Sequence, residues 1–274
     1  MHPSLVVFYR GARIALIFGE VRLLRFLESN RKILTMPLIV TSTHYRRFIY
    51  SLQSLEHLAR CRGVGEVIYI ASCDPSPETP EIVDHINRLP CQTVVGVNES
   101  RLGCGPNTRR ALEIGFETAK CHKTDYVIHV EDDVLLSPDA LEMFAHCREQ
   151  YRHDSEVFTV TAWNRNVSLH HERMAHELRR SQWFSPWAWA TWLDRWQEIN
   201  RNWIDEPWDV SLNMVARKSR FQVYPTLSRS QNIGAERGEY CYGREWHAEN
   251  QHVATWACDR PEMTDPGNWQ EAIA

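Results

Sequence analysis

The chain has 274 residues, of which 43% are hydrophobic, and its 31 Lys and Arg against 35 Asp and Glu give a formal net charge of −4. This balance excludes a general nucleic-acid binder, because the neutralisation of phosphates requires a clear excess of basic residues. The length suits one large α/β domain or two small ones, and the 12 glycines and 13 prolines are too few for long disordered linkers.

Residues 1–36 form the first predicted unit, a basic amphipathic segment with six Lys and Arg against two Asp and Glu. These charges interrupt the apolar run, so the segment cannot span a bilayer, and it lacks the apolar region and cleavage site of a signal peptide. Two interpretations stay open: a helix that lies on an anionic membrane surface, and a helix that packs on the flank of the domain.

The eight cysteines bear on the compartment of the protein. They form no C-x-x-C pair and no dense, short-spaced framework, so reduced thiols are favoured over disulfides. Together with the lack of a signal peptide, this predicts a cytoplasmic protein. Peripheral contact with the inner membrane face through residues 1–36 is an open alternative.

Short runs rich in β-branched and aromatic residues alternate with helical patterns through the first half of the chain. Such alternation is typical of βαβ units, which build a mainly parallel sheet flanked by helices. Ser137 and Pro138 occupy the positions of an N-cap and a first helical residue, which predicts a helix over 138–151. The predicted strands are 37–41, 67–71, 93–97, 126–130 and 157–161.

The second half of the chain is rich in tryptophan, with eight of the eleven between Trp163 and Trp208. The spacing of Trp189, Trp192 and Trp196 predicts the buried face of a helix. The change in composition near residue 163 divides one predicted domain, 37–274, into two halves.

Three acids, Glu131, Asp132 and Asp133, directly follow the fourth predicted strand. In open α/β sheets ligands bind outside the carboxyl ends of the strands, so this acidic turn stands where a binding site is expected. Adjacent carboxylates repel one another, and a hard divalent cation such as Mn²⁺ or Mg²⁺ would relieve that repulsion. The alternative is an acidic turn that is simply solvated.

Four stretches, in order along the chain, carry one family resemblance. Together they resemble the N-acetylglucosaminyltransferase I family of glycosyltransferases with a GT-A fold. This resemblance implies a Rossmann-like sheet, a nucleotide-sugar-binding half over 37–160, an acceptor-binding half over 161–274, and inverting transfer from a UDP-sugar. The stretches are VIHVEDDVLLSPDALEMF (127–144), TAWN (161–164), PWDVSLNMVARKSRFQVYPTLSRSQNIG (207–234) and ENQHVATW (249–256).

The resemblance assigns roles to four acids. Asp133 matches the metal ligand of the family, and Glu131 and Asp132 match residues that hold the sugar nucleotide. Asp209 matches the general base, which takes the proton of an attacking sugar hydroxyl. An N-cap of a helix over 210–218 is the structural alternative for Asp209.

Weaker matches extend the predicted site. His247 or His252 is a candidate for a further metal ligand, or a structural histidine. The loop over 232–247 resembles a segment that closes over the donor in this family. Asn107 stands where the family has a histidine. The predicted donor contacts are Arg46, Asp74, Asn107, Ser228, Arg229 and Gly234, and the predicted acceptor groove is formed by Trp163, Trp187 and Trp208, any of which could instead belong to the core.

Three functional classes compete, and the residues favour the first. A metal-dependent glycosyltransferase with a carbohydrate or glycolipid acceptor accounts for every motif. A sugar-1-phosphate nucleotidyltransferase would show a glycine-rich loop after the first strand, and TSTHYRR (41–47) contains no glycine. A non-catalytic carbohydrate-binding protein would be expected to lose the acids at 131–133 or Asp209, and all are present.

Overall fold

The structure is a computed structural model and describes residues 5–9, 12–16, 36–164, 175–236, 243–250 and 269–271. Its strands are β1 (Leu5–Tyr9), β2 (Ala12–Leu16), β3 (Leu38–His44), β4 (Val67–Cys73), β5 (Gln92–Val97), β6 (Tyr126–Glu131), β7 (Val134–Leu136), β8 (Val157–Thr161), β9 (Glu177–Ser181), β10 (Trp189–Trp192), β11 (Phe221–Pro225), β12 (Ser230–Asn232) and β13 (Gln270–Glu271). Its α-helices are α1 (Phe48–Ala59), α2 (Thr79–Ile86), α3 (Cys104–Cys121), α4 (Ala140–Gln150), α5 (Leu193–Arg201), α6 (Trp208–Ser211) and α7 (Arg244–Asn250).

Eleven of these strands form one sheet in the order β13-β9-β11-β8-β10-β6-β3-β4-β5-β1-β2, and β12 pairs with β7 in a second, two-stranded sheet. The central strands β6, β3, β4 and β5 run parallel, which confirms the predicted α/β class. Beyond β6 the direction changes, because β10 is antiparallel to both β6 and β8.

The chain reverses its direction of travel across the sheet between β3 and β6. It runs outward from β3 through β4 to β5, and then returns to add β6 on the other side of β3. The connections from β3 and β6 therefore leave the sheet in opposite directions, and a crevice opens between their carboxyl ends. The acidic turn at 131–133 lies at this switch point.

The five predicted strands are present as β3, β4, β5, β6 and β8, and the predicted helix after β6 is α4. This helix begins at Ala140 rather than at Pro138, and Ser137 is not its N-cap. Ser137 Oγ lies 2.6 Å from Asp139 Oδ1, so the hydroxyl bonds a carboxylate instead of a free helical N–H. The predicted start was wrong because that carboxylate competes for the hydroxyl.

The tryptophan series does not lie on one helix. Trp189 and Trp192 belong to β10, and Trp196 belongs to α5. Successive residues of a strand point to opposite faces, so a spacing of three puts Trp189 and Trp192 on opposite sides of the sheet. Both are fully buried because β10 is covered on each face.

The described part of the segment 1–36 is a hairpin of β1 and β2, and not the helix that both earlier interpretations assumed. β1 adds antiparallel to the edge of β5, with Val7 opposite Gly96. The run Leu5–Tyr9 is β-branched and aromatic, which favours a strand wherever an unpaired sheet edge is available. No helix in the described ranges has the length and apolar character needed to cross a bilayer.

Candidate active site

The first component of the site is the turn that follows β3. Arg46 and Arg47 both adopt the left-handed backbone region, with φ of 56° and 52°. Residues other than glycine rarely adopt that region, and two in succession reverse the chain before α1 begins at Phe48. The Phe48 N–H donates to Glu78 Oε2 at 2.6 Å, so a side chain from the next βα unit holds the start of α1.

Arg47 binds two carboxylates of the acidic turn. Its Nη1 donates to Asp133 Oδ2 at 2.8 Å, and its Nη2 forms a short hydrogen bond with Asp132 Oδ1. The side chains of Arg47, Asp132 and Asp133 are only 14%, 6% and 10% exposed. A planar guanidinium with several N–H groups suits such paired oxygens. The acidic turn is therefore buried and ion-paired, and the alternative of a solvated turn is wrong.

Asp133 is also held from the side of β12. Asn232 Nδ2 donates to Asp133 Oδ1 at 3.1 Å, and the Ile233 N–H donates to the Asp133 carbonyl oxygen at 2.8 Å. Gly234 then passes so close that a Cβ at this position would lie 2.7 Å from Asp133 Cγ. Gly234 thus has a steric role, because only glycine leaves room for the carboxylate.

Asp209 lies in the first turn of α6, where its charge acts on Glu131. The N-cap of α6 is Pro207, so the alternative in which Asp209 caps a helix over 210–218 is wrong. The chain continues as a π-helix over Leu212–Ala216, a rare conformation that is frequent at functional sites. Among the described residues, the Asp209 carboxylate has no hydrogen-bond or ion-pair partner.

The electrostatics of the turn follow from its crowding. Burial, with the charges of Asp133, Asp209 and Asp132, raises the pKa of the Glu131 carboxyl well above its ordinary value. Burial also raises the pKa of Asp132, against the opposing charge of Arg47. Burial disfavours the ionised form of a carboxyl and like charges add to that effect. Both shifts favour the protonated form, so the crowded turn retains protons that isolated carboxyls would lose.

Two buried histidines close to the turn contribute no positive charge. His44 Nε2 lies 2.9 Å from Tyr69 Oη, and His129 Nδ1 lies 3.1 Å from Thr41 Oγ1. Burial, with the charge of Arg47, lowers the pKa of His44 to about 3, and burial with the influence of His44 lowers the pKa of His129 to about 3. Both imidazoles are neutral at physiological pH, so the positive charge against the acids comes from Arg47.

The chemistry of the turn fits a hard divalent cation. Asp132 and Asp133 already converge on one cationic group, the Arg47 guanidinium, which stands in for the ion. Mg²⁺ and Mn²⁺ use one or two carboxylates and complete their shells with water and phosphate oxygens. Within the described ranges no three His, Cys, Asp or Glu side chains are grouped as a metal site, and metal binding by Asp133 stays a prediction.

The two histidines predicted as further ligands differ in what can be said of them. His247 lies on α7, and its Nε2 is 3.0 Å from the carbonyl oxygen of Asn232. Because a carbonyl only accepts, this Nε2 carries the proton and cannot ligate a metal in the same arrangement. His252 lies outside the described residues, as do residues 237–242 of the predicted closing loop.

Asp74 and Asn107 share one buried network at the carboxyl ends of β4 and β5. The Asp74 carboxylate accepts hydrogen bonds from Asn98 Nδ2 at 2.8 Å and from the backbone N–H groups of Leu102 and Gly103, each at 3.0 Å. Asn107 Oδ1 accepts a bond from the same Asn98 amide at 3.0 Å. The network lies at the same edge of the sheet as Arg47, and contact of either residue with a donor stays a prediction.

Ser228 and Arg229 lie inside the protein. Arg229 is 0% exposed, and its Nε donates to Asp139 Oδ2 at 2.8 Å. Ser228 Oγ donates to the carbonyl oxygen of Ser230 at 2.7 Å. Both side chains are bonded within the protein, and contact of either with a donor stays a prediction.

The three predicted acceptor tryptophans separate into two groups. Trp208 is buried and stacks on Trp203, with ring centroids 5.6 Å apart, so it belongs to the core and its placement argues against a role in the groove. Trp163 and Trp187 form a T-shaped pair, with ring centroids 4.4 Å apart. Trp187 is only partly buried, so part of its ring is exposed, whereas Trp163, which contacts that ring, is buried.

The structure adds two residues that the sequence analysis missed, Arg47 and Asn232. Arg46 was predicted instead of Arg47, but its guanidinium is exposed and lies 4.9 Å from the centre of the Tyr45 ring. The dipeptide of two arginines was the available signal, and only the backbone turn decides which of them points to the acids. Asn232 stands two residues before Gly234, and nothing in its type distinguished it from other polar loop residues.

Comparisons with known proteins agree with these features. The GNT-I family matches residues 108–251, slightly more than half of the chain. The alpha-1,3-mannosyl-glycoprotein 2-beta-N-acetylglucosaminyltransferase of Arabidopsis thaliana is 27% identical over 114 residues, which are 41% of this chain and 26% of that protein. This chain therefore matches about a quarter of that relative's length.

Two solved structures are similar to parts of this chain. TarS residues 1–349 of S. aureus has 16% identity and a TM-score of 0.49, over 70% of this chain and 58% of that one. The mannosyltransferase PcManGT of Pyrobaculum calidifontis, solved with GDP-Man and Mn²⁺, has 12% identity and a TM-score of 0.47, over 75% and 63%. Likeness at this level says nothing about the ligands of this chain. The family match, which includes the acidic turn and Asp209, shows that this chain belongs to the GNT-I family.

Proposed function

We propose that this protein is a glycosyltransferase that moves a sugar from a nucleoside diphosphate donor to an acceptor hydroxyl, with inversion at the transferred carbon. N-acetylglucosamine from its UDP donor is the sugar that the family suggests first. The observation that carries the proposal is the charge of Asp209, which acts on Glu131 of the acidic turn at the switch point of the sheet. That crevice is where α/β proteins of this topology bind nucleotides.

Asp209 is proposed as the general base. A sugar hydroxyl is a poor nucleophile until a carboxylate accepts its proton in the transition state. Asp209 meets the requirements, since its carboxylate is half-buried and free of partners within the described part of the chain. A single displacement by the activated hydroxyl inverts the configuration, because the acceptor attacks from the face opposite to the departing diphosphate.

Asp132, Asp133 and Arg47 are proposed to organise the donor side. Asp133 would hold Mn²⁺ or Mg²⁺, and Glu131 and Asp132 would hold the sugar nucleotide. When bound, such an ion offsets the negative charge that develops on the leaving diphosphate. Asp74 and Asn107 are proposed at the nucleoside end, because their network closes the same edge of the sheet one strand further along.

The acceptor is proposed to be a carbohydrate or a glycolipid. The partly buried ring of Trp187, in contact with Trp163, offers an aromatic face of the kind on which sugars stack. Contact with a membrane through residues 1–36 is not part of the proposal, because the helix that motivated it is replaced by β1 and β2 in the described residues.

A donor screen tests the proposed function. Purified protein with Mn²⁺ is incubated with UDP-, GDP- and dTDP-sugars, and release of nucleoside diphosphate is measured with and without a mixture of glycan acceptors. We expect release with a UDP-sugar that increases when an acceptor is present. A parallel reaction with sugar 1-phosphates and nucleoside triphosphates, scored for pyrophosphate, tests nucleotidyl transfer. Pyrophosphate release without turnover of any nucleotide sugar would contradict the proposal.

A further inference from the structure

The ion pair between Arg47 and the acidic turn determines how that turn can receive a metal ion. Arg47 is not a loosely tethered surface residue, since its side chain is 14% exposed and its backbone is fixed in a left-handed turn against the start of α1. Its guanidinium bonds one oxygen of Asp132 and one oxygen of Asp133. The proposed metal ligand is thus already paired with a cation that belongs to the protein.

We propose that Arg47 and a divalent cation compete for the Asp133 carboxylate, so that Arg47 releases Asp133 when the ion binds. This inference rests on the proposed function, in which Asp133 is the metal ligand. In this inference Arg47 is a positioning residue. It holds Asp133 in the metal-free protein and lowers the affinity of Asp133 for the ion.

The competition follows from the contacts of Asp133. Its Oδ2 accepts from Arg47 Nη1 at 2.8 Å, and its Oδ1 accepts from Asn232 Nδ2 at 3.1 Å. An ion bound to Oδ2 at about 2.0–2.2 Å would lie beside the guanidinium, and two cations at such a separation repel strongly in a buried site. The neutral amide of Asn232 imposes no such penalty. Arg47 is therefore the contact that must give way.

The structure also gives Arg47 an alternative partner. Its Nη2 bonds Asp132, so that a small movement of the guanidinium away from Asp133 leaves it paired with the neighbouring acid. Each carboxylate then has its own cationic partner, since Asp133 binds the ion and Asp132 binds Arg47. Without Asp132 the release would leave a buried, unpaired arginine, which is costly.

Binding of Mn²⁺ alone, without donor, measures the competition directly. Calorimetry compares the parent protein, Arg47→Ala and Arg47→Lys. We expect Arg47→Ala to bind Mn²⁺ at least about tenfold more tightly, which corresponds to about 1.4 kcal/mol. Arg47→Lys should fall between the two, because a lysine keeps the charge but lacks the fork that grips two carboxylates. Unchanged or weaker binding by a folded Arg47→Ala protein would overturn the proposal.

Arg46→Ala is the matched control. Arg46 carries the same charge and the same left-handed backbone as Arg47, but its guanidinium lies on Tyr45 rather than on the acids. Loss of charge and strain at φ > 0 are therefore equal in the two variants. We expect Arg46→Ala to change the Mn²⁺ affinity by less than about threefold, a difference below 1 kcal/mol. An equal gain in both variants would mean that general electrostatics, and not competition for Asp133, sets the affinity.

Thermal unfolding with and without Mn²⁺ is a second readout that does not depend on turnover. Arg47→Ala leaves two buried carboxylates without their partner, so its melting temperature in EDTA should fall, and saturating Mn²⁺ should raise it by more than in the parent. If Arg47→Ala unfolds before Mn²⁺ can be titrated, the same measurement is made with Arg47→Lys. The competition is contradicted if Mn²⁺ stabilises Arg47→Lys no more than it stabilises the parent.

The outcome separates the inference from the proposed function. Tighter Mn²⁺ binding by Arg47→Ala in a protein that turns over no nucleotide sugar would support the competition and contradict the function. If the parent turns over a UDP-sugar but neither it nor Arg47→Ala binds Mn²⁺, the function is supported and the competition is contradicted.

Discussion

Single residues at the site show how far residue type alone can lead. The acids at 131–133 were predicted from their place after an apolar strand and Asp209 from the family resemblance, and in the structure the charge of Asp209 acts on Glu131. Arg47 was not predicted, because two adjacent arginines are chemically identical in a sequence. Which of them reaches the acids depends on two consecutive left-handed residues, and nothing in the types of Arg46 and Arg47 announces that turn.

Asp209→Asn tests the general base. The amide keeps the size of the side chain but cannot accept the proton, so transfer to the acceptor should fall by about 10²–10⁴-fold while donor binding stays close to that of the parent. Initial rates of transfer and calorimetry with the UDP-sugar measure the two effects. Asp205→Asn is the control, because it removes the same charge from an exposed residue four positions earlier. Transfer at the parental rate by Asp209→Asn would show that another group takes the proton.

Glu131→Gln tests the crowding of carboxylates. Burial and the neighbouring acids raise the pKa of Glu131, so between its unfolded pKa and its raised folded pKa the folded state retains a proton that the unfolded state has lost. Stability from this group is thus lost as pH increases above about 4.5. In EDTA, Glu131→Gln should raise the melting temperature more at about pH 8 than at about pH 5, by roughly 2–4 °C for each kcal/mol of repulsion removed. An equal gain at both pH values would contradict this account.

At the scale of elements, periodicity predicted the strands better than the helix boundaries. The runs that became β3, β4, β5, β6 and β8 are short, apolar and rich in β-branched residues, which favours strands. The tryptophan series misled because its spacing of three and seven suits a helix, while a strand covered on both faces buries every residue regardless of spacing. The tryptophan spacing alone could not exclude a strand that is buried on both faces.

Gly115→Ala tests the packing of α3 on the sheet. A Cβ at Gly115 would lie 2.5 Å from Thr41 Cγ2 and 3.1 Å from Val127 Cγ1, so α3 rests directly on β3 and β6. Alanine gains up to about 1 kcal/mol in helix propensity, but overpacking of this kind costs about 1–3 kcal/mol. We therefore expect net destabilisation in denaturant unfolding. Gly65→Ala is the control, since its Cβ would make an ordinary contact at 3.8 Å from Pro90 O. A stabilised Gly115→Ala protein would mean that α3 can move away from the sheet.

On the scale of the whole molecule, the sheet contains more strands than the βα alternation implied. The parallel centre was predicted, but the strands β1, β2, β9, β10, β11 and β13 that extend the sheet on both sides were not, because most of them are short and lack a clear β pattern. Charge dominated the interpretation of residues 1–36, where β1 in fact pairs with the edge of β5 and β2 pairs with β1. An available sheet edge is a property of the folded molecule, and the local pattern does not reveal it.

Deletion of residues 1–16 tests the protection of this edge. The variant leaves the outer N–H and C=O groups of β5 unpaired, and such an edge can pair with that of a second copy. Light scattering after gel filtration should detect a mass that increases with concentration, whereas the parent should show less association under the same conditions. A truncated protein that stays monomeric at every concentration tested would show that β5 needs no cover.

The contacts of Asp133 also bear on the order of events during synthesis. They reach back 86 residues to Arg47 and forward 99 residues to Asn232. A ribosome that has released only the first 160 residues has delivered the acids and the arginine, but not the amide that orients the carboxylate from the other side. The nascent chain therefore contains both partners of the Arg47–Asp133 ion pair well before Asn232 is synthesised, so the amide is the last of these partners to reach the carboxylate.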